Sequence, residues 1–430
     1  ILAETFDHEN KWDCTKLVSI QVKEMLEIFE KFAEFPKHIK DYNTIITEGL
    51  NETISVDKKQ IKRVTKFADW NKMEMIYSGP HIFVNNPYYK SPYSRCILNS
   101  DYDIIDLQKL SENQSVRTNY IPNIELPEYQ TLIKGFPVDN HKGIIEYENW
   151  FKYYKAAFRR QIGSDSERSL SGAIIPPNAS HIGGIASVCF KDYNDLVEFV
   201  GCCSSVVWDF YVKVLKISDV RYNRIITFPL GIRALYKNAI FSRTLLLNSL
   251  TVHYADLWQS CWRPEYAQEE WSLSDPRLKP FTGLTEEWTW DTPLRNYFER
   301  RQALVEIDVL AAMALGLSLK DLELIYTIQF PVLQQNENDT WYDAKGNIVF
   351  TCSKGLNGVG CERKEWEAIR GSLSEDGMTY EGTASTYVHT IDPKKSEMYG
   401  GEEVTYYAPY TKCDRIADYR RAWAFFENRL

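Results

Sequence analysis

The stretch YNDLVEFVGCCSSVVWDFYVKVL (193–215) repeats apolar residues at 196, 199/200, 203, 206/207, 210/211 and 214, which is helical spacing. A helix with so little polar surface must be covered on most sides, so the chain has to build a core around it. Asp192 or Asn194 is placed to cap its start. Just upstream, AIIPP and HIGGIASVCF read as strand, turn, strand, with Pro176-Pro177 and Gly183-Gly184 as punctuation. Strands feeding a buried helix point to an α+β fold: an irregular mixed sheet with packed helices.

Other segments extend that pattern. Residues 17–34 put Val18, Val22, Met25, Phe29 and Phe32 at helical spacing. ENWFKYYKAAFRRQIG (148–163) reads as a helix turning Phe151, Tyr154, Ala157 and Phe158 one way. Residues 231–258 supply one or two more helices, and 300–316 another that Gly316 closes, with Ser318 and Asp321 capping a short successor. WYDAKGNIVFTCSKG (341–355) is a hairpin turning at Asp343 to Asn347, and DYRRAWAFFENR a closing helix. Residues 80–140 read as irregular strands and loops, and little regular pattern precedes the closing helix. At 430 residues the chain exceeds one ordinary core. The expected division is a helical linking segment at 1–78, an α+β domain at 79–262, and a helical and hairpin region at 263–430.

Hydrophobic content of 44% and charged content of 25% are those of a soluble globular protein. No apolar run approaches the ~20 residues a membrane span needs. Nine scattered cysteines with no Cys-x-x-Cys pair argue against a zinc knuckle or a disulfide scaffold, and fit reduced thiols in a cytoplasmic setting. His181, His253 and His389 lie apart without metal-like spacing and read as ordinary polar or core histidines. The abundant aromatics read as core filling before base-stacking surfaces. The chain opens Ile1-Leu2-Ala3-Glu4, which reads as a piece of a longer polypeptide. A net charge of −9 argues against a nonspecific nucleic-acid clamp. Charge is segregated, however: five basic residues and no acid lie between Arg221 and His253.

One short run invites a catalytic reading. Asn86-Pro87-Tyr88-Tyr89 approaches the tetrapeptide (Asn or Asp, Pro, Pro, Tyr or Phe) with which amino-group DNA methyltransferases hold a flipped base. The second proline is missing. The first 80 residues contain only Gly49 and Gly79, too few for the glycine-rich loop such chemistry needs upstream. The run reads as a proline-fixed bend into CILNSDYDIIDL. LNGVGCE (356–362) follows a hairpin and is a weak phosphate loop. No catalytic residue is assigned.

Several phrases together carry a resemblance: SGPHIFVNNPYYKSP, LNSDYDIIDL, VRTNYIP, ERSLSGAIIPPNASHIG, VVWDFYVKVL, LLLNSLTVHYADLW, ALVEIDVLAAMALGLSLKDLELIYTIQFPVLQQNENDTWYDAKGNIVFT and CDRIADYRRAWAFF. From about residue 75 to 430 the chain resembles the C-terminal, target-recognition half of large adenine-specific DNA methyltransferases. These include type IIG restriction–modification enzymes and the methylases of phage-defence systems such as DISARM and BREX. The resemblance implies a target-recognition fold at 79–262 and double-stranded DNA as partner. It also implies a separate N-terminal domain, outside this chain, that binds S-adenosylmethionine and methylates adenine N6. Other defence-system subunits are further expected partners.

Within that frame Arg159, Arg160, Gln161 and Arg168 offer forks for phosphates or guanine edges, with a GSDSE loop between them. Arg221, Asn223 and Arg224 precede a strand-like IITFPLG, where Asn suits adenine. Arg117 and Asn119 flank Thr118, and Lys354 stands beside Gly355. Each has a plain alternative, an ion pair or solvated face for the cations and a turn for Asn119. A protein-interaction module, using acidic and aromatic surfaces at 262–295 and 375–410, is the competing reading.

Overall fold

The computed structural model describes residues 22–98, 100–139, 145–163 and 166–429. The fold is α+β. Its centre is a four-stranded antiparallel sheet of β1 (Thr44–Thr47), β2 (Lys155–Arg159), β3 (Gly172–Ile175) and β4 (Ile185–Phe190), in the order β1-β4-β2-β3. Ala157 of β2 lies between Ala173 and Ser187. The strands β3 and β4 are buried along their whole length, which is why they read as unbroken apolar runs.

Helices stack against this sheet in layers. In chain order they are α1 (Glu24–Ala33), α2 (Tyr193–Cys203), α3 (Val206–Val214), α4 (Ala234–Asn248), α5 (Tyr297–Leu315), α6 (Leu319–Gln329) and α7 (Arg415–Arg429). Phe199 of α2 meets Phe158 of β2 and Phe190 of β4 edge-on or tilted, at 5.4 and 5.6 Å. Gly201 lets α4 approach: a Cβ there would sit 2.5 Å from Thr244 Oγ1. α5 packs on α4, and α7 on α5.

The C-terminal region adds β5 (Thr340–Tyr342), β6 (Ile348–Thr351), β7 (Thr379–Tyr380), β8 (Thr386–Thr390), β9 (Glu403–Tyr407) and β10 (Tyr410–Thr411). Four form a sheet in the order β6-β5-β10-β7, and β8 pairs with β9 in a separate ribbon. Trp341, Phe350, Trp366 and Tyr410 anchor a small aromatic core there.

Several expectations need correction. Residues 148–163 are not a helix. Asn149 starts a 3-10 turn at Trp150–Lys152 and β2 follows, because Ala156, Ala157 and Phe158 are needed in mid-sheet. The long helix expected at 193–215 is two. Ser204 and Ser205 turn their hydroxyls back to Gly201 O and Cys202 O, and Ser205 then caps α3 at Trp208 N. IITFPLG is no strand: its first residue ends a short helix, Tyr222–Ile225, and its carbonyls meet residues 39 and 40 through Ile39 N to Phe228 O and Lys40 N to Ile226 O. One apolar cluster runs from Met25 to Phe426 through α4, α5 and α7. The tail before α7, expected to lack pattern, holds a helix at Arg363–Ile369 and the strands β7 to β10. Of the helix expected at 17–34, Glu24–Ala33 is present, and residues 17–21 lie outside the described residues.

Candidate nucleic-acid interface

A polar groove of about 580 Å³ opens where the end of β2 meets an antiparallel ribbon, Ile61–Phe67 with Arg117–Pro122, and the loop carrying Cys96, Ile97 and Leu98. Its walls bring together Asn119, Arg159, Arg160 and Gln161. β2 ends here because Arg160 N donates to Gly184 O and Val220 N to Arg160 O, which turns the chain out of the sheet.

These side chains are differently engaged. Arg159 Nε donates to Gly79 O and Ile82 O at 2.9 and 2.8 Å, and its guanidinium lies over Phe83 and Tyr89. It therefore braces the wall, and burial lowers its pKa. Arg160 pairs with Glu48 at 2.6 Å and Asp219 at 2.9 Å. Arg221 completes the network on the same two carboxylates, at 2.6 Å to Asp219 and 3.5 Å to Glu48. Two cations and two anions alternate here. Asn119 donates to Tyr102 Oη at 2.9 Å and accepts from Thr65 Oγ1 at 2.9 Å, so its amide is fixed within the groove wall. Gln161 is exposed and its side chain forms no hydrogen bond among the described residues.

The remaining positions separate. Arg117 reaches away to Glu397 at 3.0 Å and stacks on Phe67. Asn223 is exposed and Arg224 half-buried on the short helix after Arg221, outside the groove wall. Lys354 is exposed on the turn after β6. Arg168 is closed into the core, with Nε 2.8 Å from Asp209 Oδ2 and Nη2 donating to Ser204 O at 2.6 Å. It is not part of the groove at the end of β2 but lines a separate cavity beside Asn86, and Ser164 and Asp165 of the loop before it lie outside the described residues.

The groove also contains Arg63, which the sequence reading passed over. It is exposed and forms no ion pair among the described residues. The three basic residues of IKRVTKF, Lys62, Arg63 and Lys66, were its signal, and a bulge between Arg63 and Lys66 breaks their register.

The Asn85-Asn86-Pro87 bend is more deeply fixed than a surface turn. Phe83 and Asn86 bridge, Asn85 takes φ +50, and Lys90–Pro92 then pairs with Tyr102–Ile104 as the bend delivers it. Phe83, Asn86 and Tyr89 line a cavity of about 170 Å³ together with Tyr297 and Arg300. Arg300 donates to the carbonyls of Asn85, Leu247 and Leu294, and burial lowers it to about 10.

A Cβ on Gly49 would sit 2.3 Å from His181 O, and the Gly79 carbonyl accepts from Arg159, so local packing takes up both glycines. Among the described residues no helix is long and apolar enough to cross a membrane. No family model matches this chain, and no curated protein does.

Proposed function

We propose that this chain is the DNA target-recognition region of an S-adenosylmethionine-dependent, adenine-specific DNA methyltransferase of a restriction–modification or phage-defence system. The methyl-transfer chemistry belongs to a domain outside it. The observation that carries the reading is the groove at the end of β2. It gathers Gln161, Asn119, Arg160 and Arg63, the last without an ion pair among the described residues, on one concave wall. Gln and Asn pair with adenine edges and arginine with guanine or phosphate, so this wall has the donors and acceptors that duplex readout uses.

The competing interaction-module reading draws less support. It needs exposed aromatics at 262–295, but the indoles of Trp271, Trp288 and Trp290 donate to the backbone carbonyls of Lys279, Ser249 and Leu110. Tyr406 of the second surface is buried in the C-terminal aromatic core.

Salt-titrated binding of a duplex by the purified chain tests the proposal. Affinity should fall steeply with salt, and Arg63→Ala should lower both affinity and the salt slope, the slope by about one phosphate contact. No binding at low salt, or an unchanged slope in Arg63→Ala, would count against it. Methyl transfer by this chain alone would refute the assignment of chemistry to another domain.

A further inference from the structure

Three side chains that lie apart in sequence converge beside the C-terminal aromatic core. One ligand atom each from Cys361, Glu365 and His389 lies within 4.8 Å of the others. The local fold explains the convergence. After β6 the chain returns through Gly360, at φ +76, where a Cβ would sit 2.5 Å from Val349 O. That close approach lets Cys361 N donate to Val349 O at 2.7 Å, which fixes the thiol on the sheet. The helix Arg363–Ile369 starts two residues later and carries Glu365 four positions beyond Cys361. The ribbon of β8 and β9 supplies His389, opposite Val404, with Nδ1 2.8 Å from Glu365 Oε1. Tyr387, two residues earlier and on the same strand face, donates its hydroxyl to the same oxygen at 2.7 Å.

Thiolate, carboxylate and imidazole are together the donor set of zinc. A single carboxylate beside sulfur and nitrogen does not suit calcium or magnesium, which take oxygen ligands. Without a cation the cluster is held by protons. Burial and the neighbouring Glu365 push the Cys361 thiol up, while Tyr387 and His389 both crowd one carboxylate oxygen. A divalent cation replaces that arrangement with a neutral one: the S–H bond breaks, its proton leaves to solvent, and two anions and a neutral imidazole face the metal.

We propose that Cys361, Glu365 and His389 form a zinc-binding site that ties the loop after β6, the helix Arg363–Ile369 and the β8–β9 ribbon together. Three protein ligands leave a fourth position for water or a ligand. His389 and Gly360 also line a cavity of about 100 Å³ that reaches Asp103, Asp106 and Tyr399. Tyr387 is the outer partner that orients the Glu365 carboxylate. The gain is mechanical: β7 and β10 are two residues long and the local aromatic core is small, so a metal staple adds what packing lacks there.

Cobalt titration of the full, reduced chain tests this. One equivalent of Co²⁺ should produce a thiolate-to-cobalt charge-transfer band with intense visible bands, and Zn²⁺ should displace both. Cys361→Ser should abolish the charge-transfer band, and Cys352→Ser, at a partly exposed thiol elsewhere, should leave it intact. His389→Gln should weaken binding at least ~10-fold. Tyr387→Phe should keep the band but weaken affinity about 10- to 100-fold, as outer-shell losses do. The proposal is overturned if the unaltered chain shows no thiolate band, or if the band survives Cys361→Ser. Should Cys361→Ser fail to fold, an unchanged affinity in His389→Gln overturns it equally.

Discussion

Asn248 Nδ2 donates to Asn85 Oδ1 across 2.9 Å, joining the last turn of α4 to the bend before Pro87. The same Asn248 accepts from Ile174 N on β3 through Oδ1, and Asn85 N donates to Gly172 O at the start of that strand. Two asparagines thus lock bend, sheet and helix at one buried point. The carbonyl of Asn85 receives Arg300 from α5, which adds a fourth element.

Asn85→Ala should therefore lower stability by two separable routes. Its φ of +50 is tolerated by asparagine and strained for alanine, about 1–3 kcal/mol. Loss of the amide leaves an Asn248 N–H without its partner, another ~1–3 kcal/mol. Asn85→Gly incurs only the second cost, so denaturant unfolding should rank the variants native, then glycine, then alanine. Equal losses in both would show that the backbone at 85 is not strained.

Stability should fall in acid through Glu337. Burial alone would raise its carboxyl, but Arg415 and Arg301 outweigh that and hold it at about 2. The unfolded chain takes up its proton near pH 4.3, the folded one only near 2. The contribution is complete above about pH 5 and is lost as pH falls toward 2, roughly 3 kcal/mol in all. Glu337→Gln should flatten this limb of a stability-against-pH profile. It should also cost about 3–5 kcal/mol at neutral pH, because two buried arginines lose a shared partner. An acid limb of unchanged steepness in the variant would remove Glu337 from its cause.

The groove network makes a prediction with the opposite sign. Glu48 faces both Arg160 and Arg221, so a duplex must compete with it for those guanidiniums. Glu48→Gln should tighten duplex binding several-fold at low salt and steepen the salt slope, since Asp219 alone then competes with phosphates for the two arginines. Weaker binding in this variant would mean that Glu48 positions the arginines instead of restraining them.

How much of this was legible in the sequence depended on whether local pattern and tertiary demand agreed. The Ser318–Asp321 capping box, Gly316 at φ +77 and the turn held by Asp343 Oδ1 follow local rules and were readable. His181 is the core histidine expected, bonded to Ser187 Oγ, with burial lowering it to about 4. Residues 148–163 misled because Tyr154, Ala157 and Phe158 satisfy a helical period while the sheet needs them as β2. The groove was half legible: Arg159, Arg160 and Gln161 are consecutive, but Arg63 joins them only through the pairing of Ile61–Phe67 with Arg117–Pro122. Cys361, Glu365 and His389 were invisible as a set, because the ribbon of β8 and β9 brings the histidine back over 24 residues from Glu365.

Arg168 and Gln161 are seven positions apart and should respond oppositely to truncation. Arg168 is buried against Asp209, which also accepts from Ser169 N and Leu170 N, so the pair organises the turn that leads into β3. Arg168→Ala strands that carboxylate inside the core and should cost about 3–5 kcal/mol in unfolding experiments. Below the melting transition its duplex affinity should match that of the unaltered chain. Gln161 stands exposed on the groove wall, and Gln161→Ala should leave stability within about 0.5 kcal/mol. Its effect should instead be on sequence preference, a loss of about 1–3 kcal/mol of discrimination at one base pair with an unchanged salt slope. If Gln161→Ala binds every duplex as the unaltered chain does, while Arg168→Ala loses affinity without losing stability, the duplex lies on another face.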